Sequence, residues 1–207
     1  MSETELQTLV FEFTGKRLCL DFANTVNNRT SNPHELLNSY DDLLTWGQEA
    51  QILTWQEVEA LRERARQHPE AATEVLARAV AVREAIYAIF VAREHEVTPA
   101  SSDVDRLNTE LTRANTQMYL VPEQEGFAWD WAGRKKELDT MLWPVVRSAA
   151  DILTSEELQN VHVCASDDCG WVFLDTSKNH SRRWCDMKGC GNRAKARKHY
   201  SQKKQAS

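Results

Sequence analysis

Four of the five cysteines fall in two short-spaced pairs, Cys164 with Cys169 and Cys185 with Cys190, four residues inside each pair and fifteen between the pairs. Four thiols that can converge on one point either ligate a metal or oxidise, so this pattern constrains the chain more than any other. The reading it predicts is four thiolates on one tetrahedral zinc, with an iron–sulfur cluster or redox disulfides as alternatives. With every position taken by cysteine, no place remains for water or substrate, so the zinc is expected to be structural. A unit this small has no core of its own, and metal binding of about 10 kcal/mol or more would supply its folding energy. Cys19, in the apolar run 18–22, reads as a buried small side chain.

The residues around the pairs indicate what the metal would hold. Val161, Val163, Trp171, Phe173 and Leu174 favour strands and predict a short hairpin closed by the knuckle 164–170. Beyond Cys190, residues 191–205 are rich in Ala, Lys and Arg and predict a helix. Together these make a treble-clef-like finger. Trp171, Phe173 and Trp184 are expected to seal the metal, and Gly191 and Asn192 to serve the helix start. Arg182 or Arg183 is expected either to pair with Asp175 or to meet phosphate. His162, His180 and His199 are not expected as ligands, because four cysteines already complete the shell.

Charge is divided as unevenly as cysteine. The whole chain carries −6, but residues 160–207 hold ten Lys and Arg against four Asp, a net of +6, leaving −12 for the first 159. The last 31 residues, with Asp186 their one acid, reach +9. Such a segment points to an anionic partner, most often nucleic acid; a solvated tail, or a clamp onto the acidic remainder, is the plainer alternative. At 100° per residue Arg193, Arg197, Tyr200 or Ser201, and Lys204 share one stripe, flanked by Lys195 and Lys198. Arg193 and Arg197 are the candidate readers of base edges, with Lys195, Lys198, Lys204, Arg182 and Arg183 on phosphates.

The stretch C-x4-CGWVFLDTS, then SRRWC, then CGNRAKARKHY resembles the CGNR zinc-finger family over about residues 160–200. Upstream, Leu20-Asp21-Phe22-Ala23-Asn24-Thr25 and the mainly helical region after it resemble the ABATE domain. In bacterial proteins described as stress-induced transcription regulators that domain precedes this finger. The resemblance implies a zinc-dependent regulator whose partner is DNA.

The hydrophobic and charged content, 42% and 27%, is that of a globular chain with a real core. The expected fold class is mainly α with short β-hairpins (α+β), a helical domain over 1–155 and the finger over 160–207, joined by a short junction at 154–160. Thr54 and Glu57 form a capping box before a helix that ends at His68-Pro69. Ala72, Val75, Leu76, Ala79, Ile86, Ile89 and Phe90 mark the longest helix. Val104, Leu107, Leu111 and Ala114 mark another, and Leu138, Met141, Leu142, Val145, Ala149 and Ile152 a last one in which Pro144 kinks the helix or sits in its first turn. Leu9 to Phe13 with Arg17 to Leu20, and Met118 to Val121 with Phe127 to Trp131, are candidate hairpins.

Asp21, Asn24, Thr25 and Arg29 are candidate walls of a pocket for a small polar effector; the alternative is that the first three satisfy backbone groups where a strand meets a helix. No apolar run is long enough to span a membrane, and Met1 to Glu5 carry two acids, so a cytoplasmic protein without a secretory signal is expected. An RNA- or protein-binding module is the competing function. A nuclease is less expected, since no H-x-x-x-H, Gly-rich phosphate loop or G-x-S-x-G occurs, and the chain is not expected to be an enzyme. A homodimer on paired half-sites is a further candidate.

Overall fold

The structure, a computed structural model, describes residues 10–134 and 136–205. In chain order it runs α1 (Leu18–Ala23), β1 (Val26–Asn27), β2 (His34–Glu35), α2 (Tyr40–Glu49), α3 (Trp55–Gln67), α4 (Pro69–Glu94) and α5 (Ser101–Gln117). The hairpin β3 (Met118–Glu123) and β4 (Gly126–Trp131) follows, then α6 (Leu142–Leu153), one 3-10 turn, β5 (Val161–Val163), β6 (Val172–Leu174), a wide turn over Met187–Gly191, and α7 (Asn192–Gln205). The strands form three separate antiparallel pairs. The fold is therefore α+β, helical in its bulk.

Local sequence explains most helix boundaries. At α3 the Thr54 hydroxyl accepts from the Glu57 N–H at 3.3 Å while the Glu57 carboxylate accepts from the Thr54 N–H at 2.8 Å. Ser39 and Asp42 make the same reciprocal cap on α2, a helix not among those expected from the sequence. Pro69 opens α4, where its missing N–H costs nothing. Pro144 likewise lies in the first turn of α6, so it does not kink the helix.

Helix α4 is the spine, packed against α1, α2, α3, α5 and the β5–β6 hairpin. Its buried Ala72, Val75, Ala79, Val82, Ile86 and Ile89 recur at intervals of three and four, the period of one helical face. One continuous apolar core joins them to α1, α2, α6 and also to Val161, Val172 and Leu174 of the β5–β6 hairpin.

Two expectations fail at the start of the chain. Arg17 to Leu20 is not a strand: the Leu20 and Asp21 N–H groups donate to the Arg17 carbonyl at 3.0 and 2.9 Å and open α1. Cys19, Leu20, Phe22 and Ala23 are all buried there, and a helix buried on every side shows no amphipathic period to distinguish it from a buried strand. Residues 10–13 form no strand, and Leu9 lies outside the described residues.

Inside the core sits a guanidinium. Arg83, 2% exposed, holds both Glu35 oxygens at 2.6 Å, Glu84 at 2.8 Å and the Thr25 hydroxyl at 3.2 Å. Burial alone would raise the Glu35 carboxyl, yet its hydrogen bonds with Arg83 and the Leu37 N–H, together with the Arg83 charge, outweigh that and hold it below the ordinary value.

Candidate metal centre and basic helix

The β5–β6 register pairs Val161 with Leu174, His162 with Phe173 and Val163 with Val172, which delivers Cys164 at the end of β5 facing the return strand. The chain then turns tightly: the Cys164 N–H donates to the Trp171 carbonyl at 2.7 Å and the Cys169 N–H to the Ser166 carbonyl at 3.1 Å. Gly170 closes this knuckle at φ +69°, and a Cβ there would come within 2.9 Å of Thr30, so both the turn and the close approach call for glycine. Of the second pair, Cys185 precedes the wide turn and Cys190 lies within it, and the Asp186 carboxylate caps the turn by accepting the Gly189 N–H at 2.6 Å. A Cβ on Gly191 would meet the Met187 sulfur at 2.9 Å.

These turns bring the four Sγ atoms within 4.8 Å of one another, all from buried residues. Cys169 and Cys185 are 3.6 Å apart, Cys185 and Cys190 3.7 Å. Four thiolates at about 2.3 Å from a tetrahedral zinc lie about 3.8 Å from each other, so the cage has the size of a single ion. The separations are far beyond the roughly 2.05 Å of a disulfide. Donor set, burial and spacing fit one structural zinc. Thiol hydrogen bonds from Cys169 and Cys185 push the Cys164 thiol down and raise the two donors, because sulfurs this close cannot all ionise without a cation among them.

The surroundings suit that charge. Trp171, Phe173 and Trp184 close over the sulfurs, and the Trp171 indole N–H donates to the Val26 carbonyl at 2.8 Å. The Arg193 guanidinium lies 3.0 Å from the Cys190 sulfur, where it offsets the net negative charge of a zinc tetrathiolate. Arg182 is turned inward: its guanidinium lies over the Phe173 ring and donates to the Trp184 and Cys185 carbonyls. Asp175 accepts the Arg182 and Ser177 backbone N–H groups, each at 2.8 Å. Arg183 is exposed beside Trp184. The Asn192 amide donates to the Lys188 carbonyl at 3.0 Å and fastens the wide turn to α7.

The stripe on α7 has an unanticipated partner. Arg197 donates to Asp167 at 2.8 Å and Asp168 at 2.9 Å, and Arg193 lies 3.8 Å from Asp168. Two adjacent acids inside the first knuckle of an otherwise basic segment were the available signal. Lys195 is exposed; the side chains of Lys198, Tyr200, Ser201 and Lys204 lie outside what the structure describes.

The finger is fastened to the helical body along one seam. Asn24 donates to the Val172 carbonyl and accepts its N–H, both at 2.9 Å. The Arg29 N–H donates to the Cys169 carbonyl, the Thr30 hydroxyl to the Asp167 carbonyl and the Tyr87 hydroxyl to the Gly170 carbonyl. Thr25 donates to the Phe22 carbonyl, and the Arg29 guanidinium pairs with Glu84 over the Tyr87 ring. Asn24, Thr25 and Arg29 thus engage groups of the chain itself.

Asp21 accepts the Gly15 N–H at 2.7 Å. Burial pushes its carboxyl up to about 6 from 3.8, against the opposing pull of that hydrogen bond. A group raised on folding favours the fold while protonated, so this contribution is full below pH 4 and is lost as pH rises through 6. Asp21→Asn, which keeps an acceptor for Gly15, is therefore expected to exceed the wild type by about 2–3 kcal/mol near pH 7.5. Denaturant titrations should show that margin shrinking by about half near pH 5; a margin independent of pH would contradict the assignment.

Among the described residues no helix is long and apolar enough to cross a membrane. Comparison with protein families matches residues 16–156 to the ABATE family, described as "Putative stress-induced transcription regulator", and residues 160–203 to the CGNR zinc finger. No curated protein matches the chain.

Proposed function

Since the chain belongs to the ABATE family and ends in a CGNR zinc finger, we propose that it regulates transcription by binding DNA through α7. The observation that carries this reading is the helix itself: it leaves the metal cage directly after its fourth ligand and belongs to a 31-residue segment of charge +9. Zinc would fix the start of the helix, and the seam through Asn24 and Arg29 would fix the attitude of the finger.

Arg193 and Arg197 are the base readers in this proposal, with Lys195, Lys198, Lys204 and Arg183 on phosphates. Arg182, bound to two carbonyls within the finger, is reassigned to bracing the metal loop. The contacts of Arg193 and Arg197 with Asp167 and Asp168 are solvent-exposed ion pairs, worth at most about 1 kcal/mol each, so a phosphate or a guanine edge can displace them. An effector bound beside Asp21, Asn24, Thr25 and Arg29 would act by shifting the seam that Asn24 and Arg29 make with the finger.

The test is selection of bound fragments from a random DNA pool by the zinc-loaded chain at two salt concentrations, with the Arg193→Ala/Arg197→Ala variant alongside. Enrichment of a short motif is expected, with at least about tenfold weaker binding and a shallower salt dependence in the variant. Binding without a motif, equal in both proteins, would favour a module for RNA or protein instead.

A further inference from the structure

The β3–β4 hairpin presents a face that, beyond Trp131 at its base, neither the core nor the finger uses. Its register sets Met118 opposite Trp131, Leu120 opposite Trp129 and Pro122 opposite Phe127. Directly opposed residues lie on one side of a sheet and sides alternate along a strand, so these six side chains form one face without a charge. The other face carries Tyr119 with Asp130, Val121 with Ala128, and Glu123 with Gly126.

The base of the hairpin is anchored. Trp131 is half-buried with its ring 5.9 Å from that of Trp143 in α6, and the Ala132 N–H donates to the Gln117 carbonyl at 2.7 Å. Beyond the base the hairpin's main contacts are between its own strands. Leu120 is 54% exposed, Trp129 59% and Phe127 74%. Among the described residues each strand pairs with the other alone, so both outer edges have no further strand on them. A two-stranded hairpin with an uncovered apolar face is marginal in water and becomes stable when a further layer or strand covers it.

We propose that this face is the interface between two copies of the chain, hairpin against hairpin about a twofold axis. An apolar aromatic face without charge selects a partner of the same character, and a second copy supplies one with matching shape by symmetry. Phe and Trp side chains bury about 150–250 Å² each when fully covered, Leu and Pro less. Leu120, Pro122, Phe127 and Trp129 therefore offer about 400–500 Å² per copy. Two copies together would bury about 800–1,000 Å², just short of the roughly 1,200 Å² at which stable interfaces begin and of the size of a weak, reversible dimer. The inference does not depend on DNA binding, although such a dimer would present two fingers in twofold register.

Sedimentation of the full zinc-loaded chain, from sub-micromolar to tens of micromolar, tests it beside a Phe127→Glu/Trp129→Glu variant. The wild type is expected to reach twice its 23.7 kDa mass. The variant should remain at the monomer mass, its dissociation constant raised at least about 100-fold. Both positions are exposed, so circular dichroism should match the wild type at concentrations where both proteins are monomeric. A wild type that stays monomeric throughout, bare or carrying an apolar ligand on the hairpin, overturns the proposal. So does a double variant that still dimerises.

Discussion

Removing zinc with a strong chelator is expected to release the knuckles and the start of α7 while the helical body stays folded. Metal binding contributes about 10–16 kcal/mol in isolated zinc fingers, where nothing else holds the chain. Here the β5–β6 hairpin belongs to the main core through Val161, Val172 and Leu174, and Asn24 pairs with the Val172 backbone in both directions. What depends on the metal is the part held by sulfur: 164–170, the wide turn and the helix after it. Hydrogen exchange should therefore rise steeply across 164–170 and 185–197 and stay slow in α4 and β6. Four thiols should become reactive, while Cys19, fully buried with its thiol pushed up to about 12, stays silent. Cys190→Ser should reproduce the loss without chelator. Cooperative melting of the whole chain would show instead that the zinc supports the entire fold, and unchanged exchange would show that it supports none of it.

The second large effect belongs to Glu35. Glu35→Ala is expected to cost about 3 kcal/mol, because it leaves the nearly inaccessible Arg83 charge with Glu84 alone and also removes the acceptor for the Leu37 N–H. Arg83→Met should cost less than half as much. Its volume refills the space, Glu84 keeps its pairing with Arg29, and the released Glu35 is 34% exposed, near enough to water to be rehydrated. Denaturant midpoints decide the order; a larger loss for the methionine variant would place the stabilisation in the guanidinium's own contacts.

How much of this was legible in the sequence depends on the range of the interaction. The cage could be read because its ligands come as short-spaced pairs, and the α3 cap because Thr54 and Glu57 are three residues apart. The β3–β4 hairpin announced itself by β-prone runs on either side of Glu125-Gly126. Helix α2 carries an equally local signal in the capping box of Ser39 and Asp42. By contrast α1 looked like a strand because burial on all sides erases the helical period. The seam was invisible for another reason: Asn24 and Val172 are 148 positions apart, and nothing in the chain near Asn24 marks which backbone its amide will meet. The contact of Arg197 with Asp167 and Asp168 lies between: the acids stand in the same short segment, 30 and 29 positions away, but only the fold sets the knuckle beside α7.

That contact has a consequence for search. If α7 binds DNA, its two central arginines arrive with their counter-ions already built into the protein, so a bare sugar–phosphate backbone gains little by replacing one carboxylate with another anion. Loose, sequence-blind encounters are thereby weakened more than tight ones, in which a guanine edge adds hydrogen bonds that no aspartate offers. The acid pair would act as a filter on dwell time, letting the helix leave the wrong site quickly while it holds the right one.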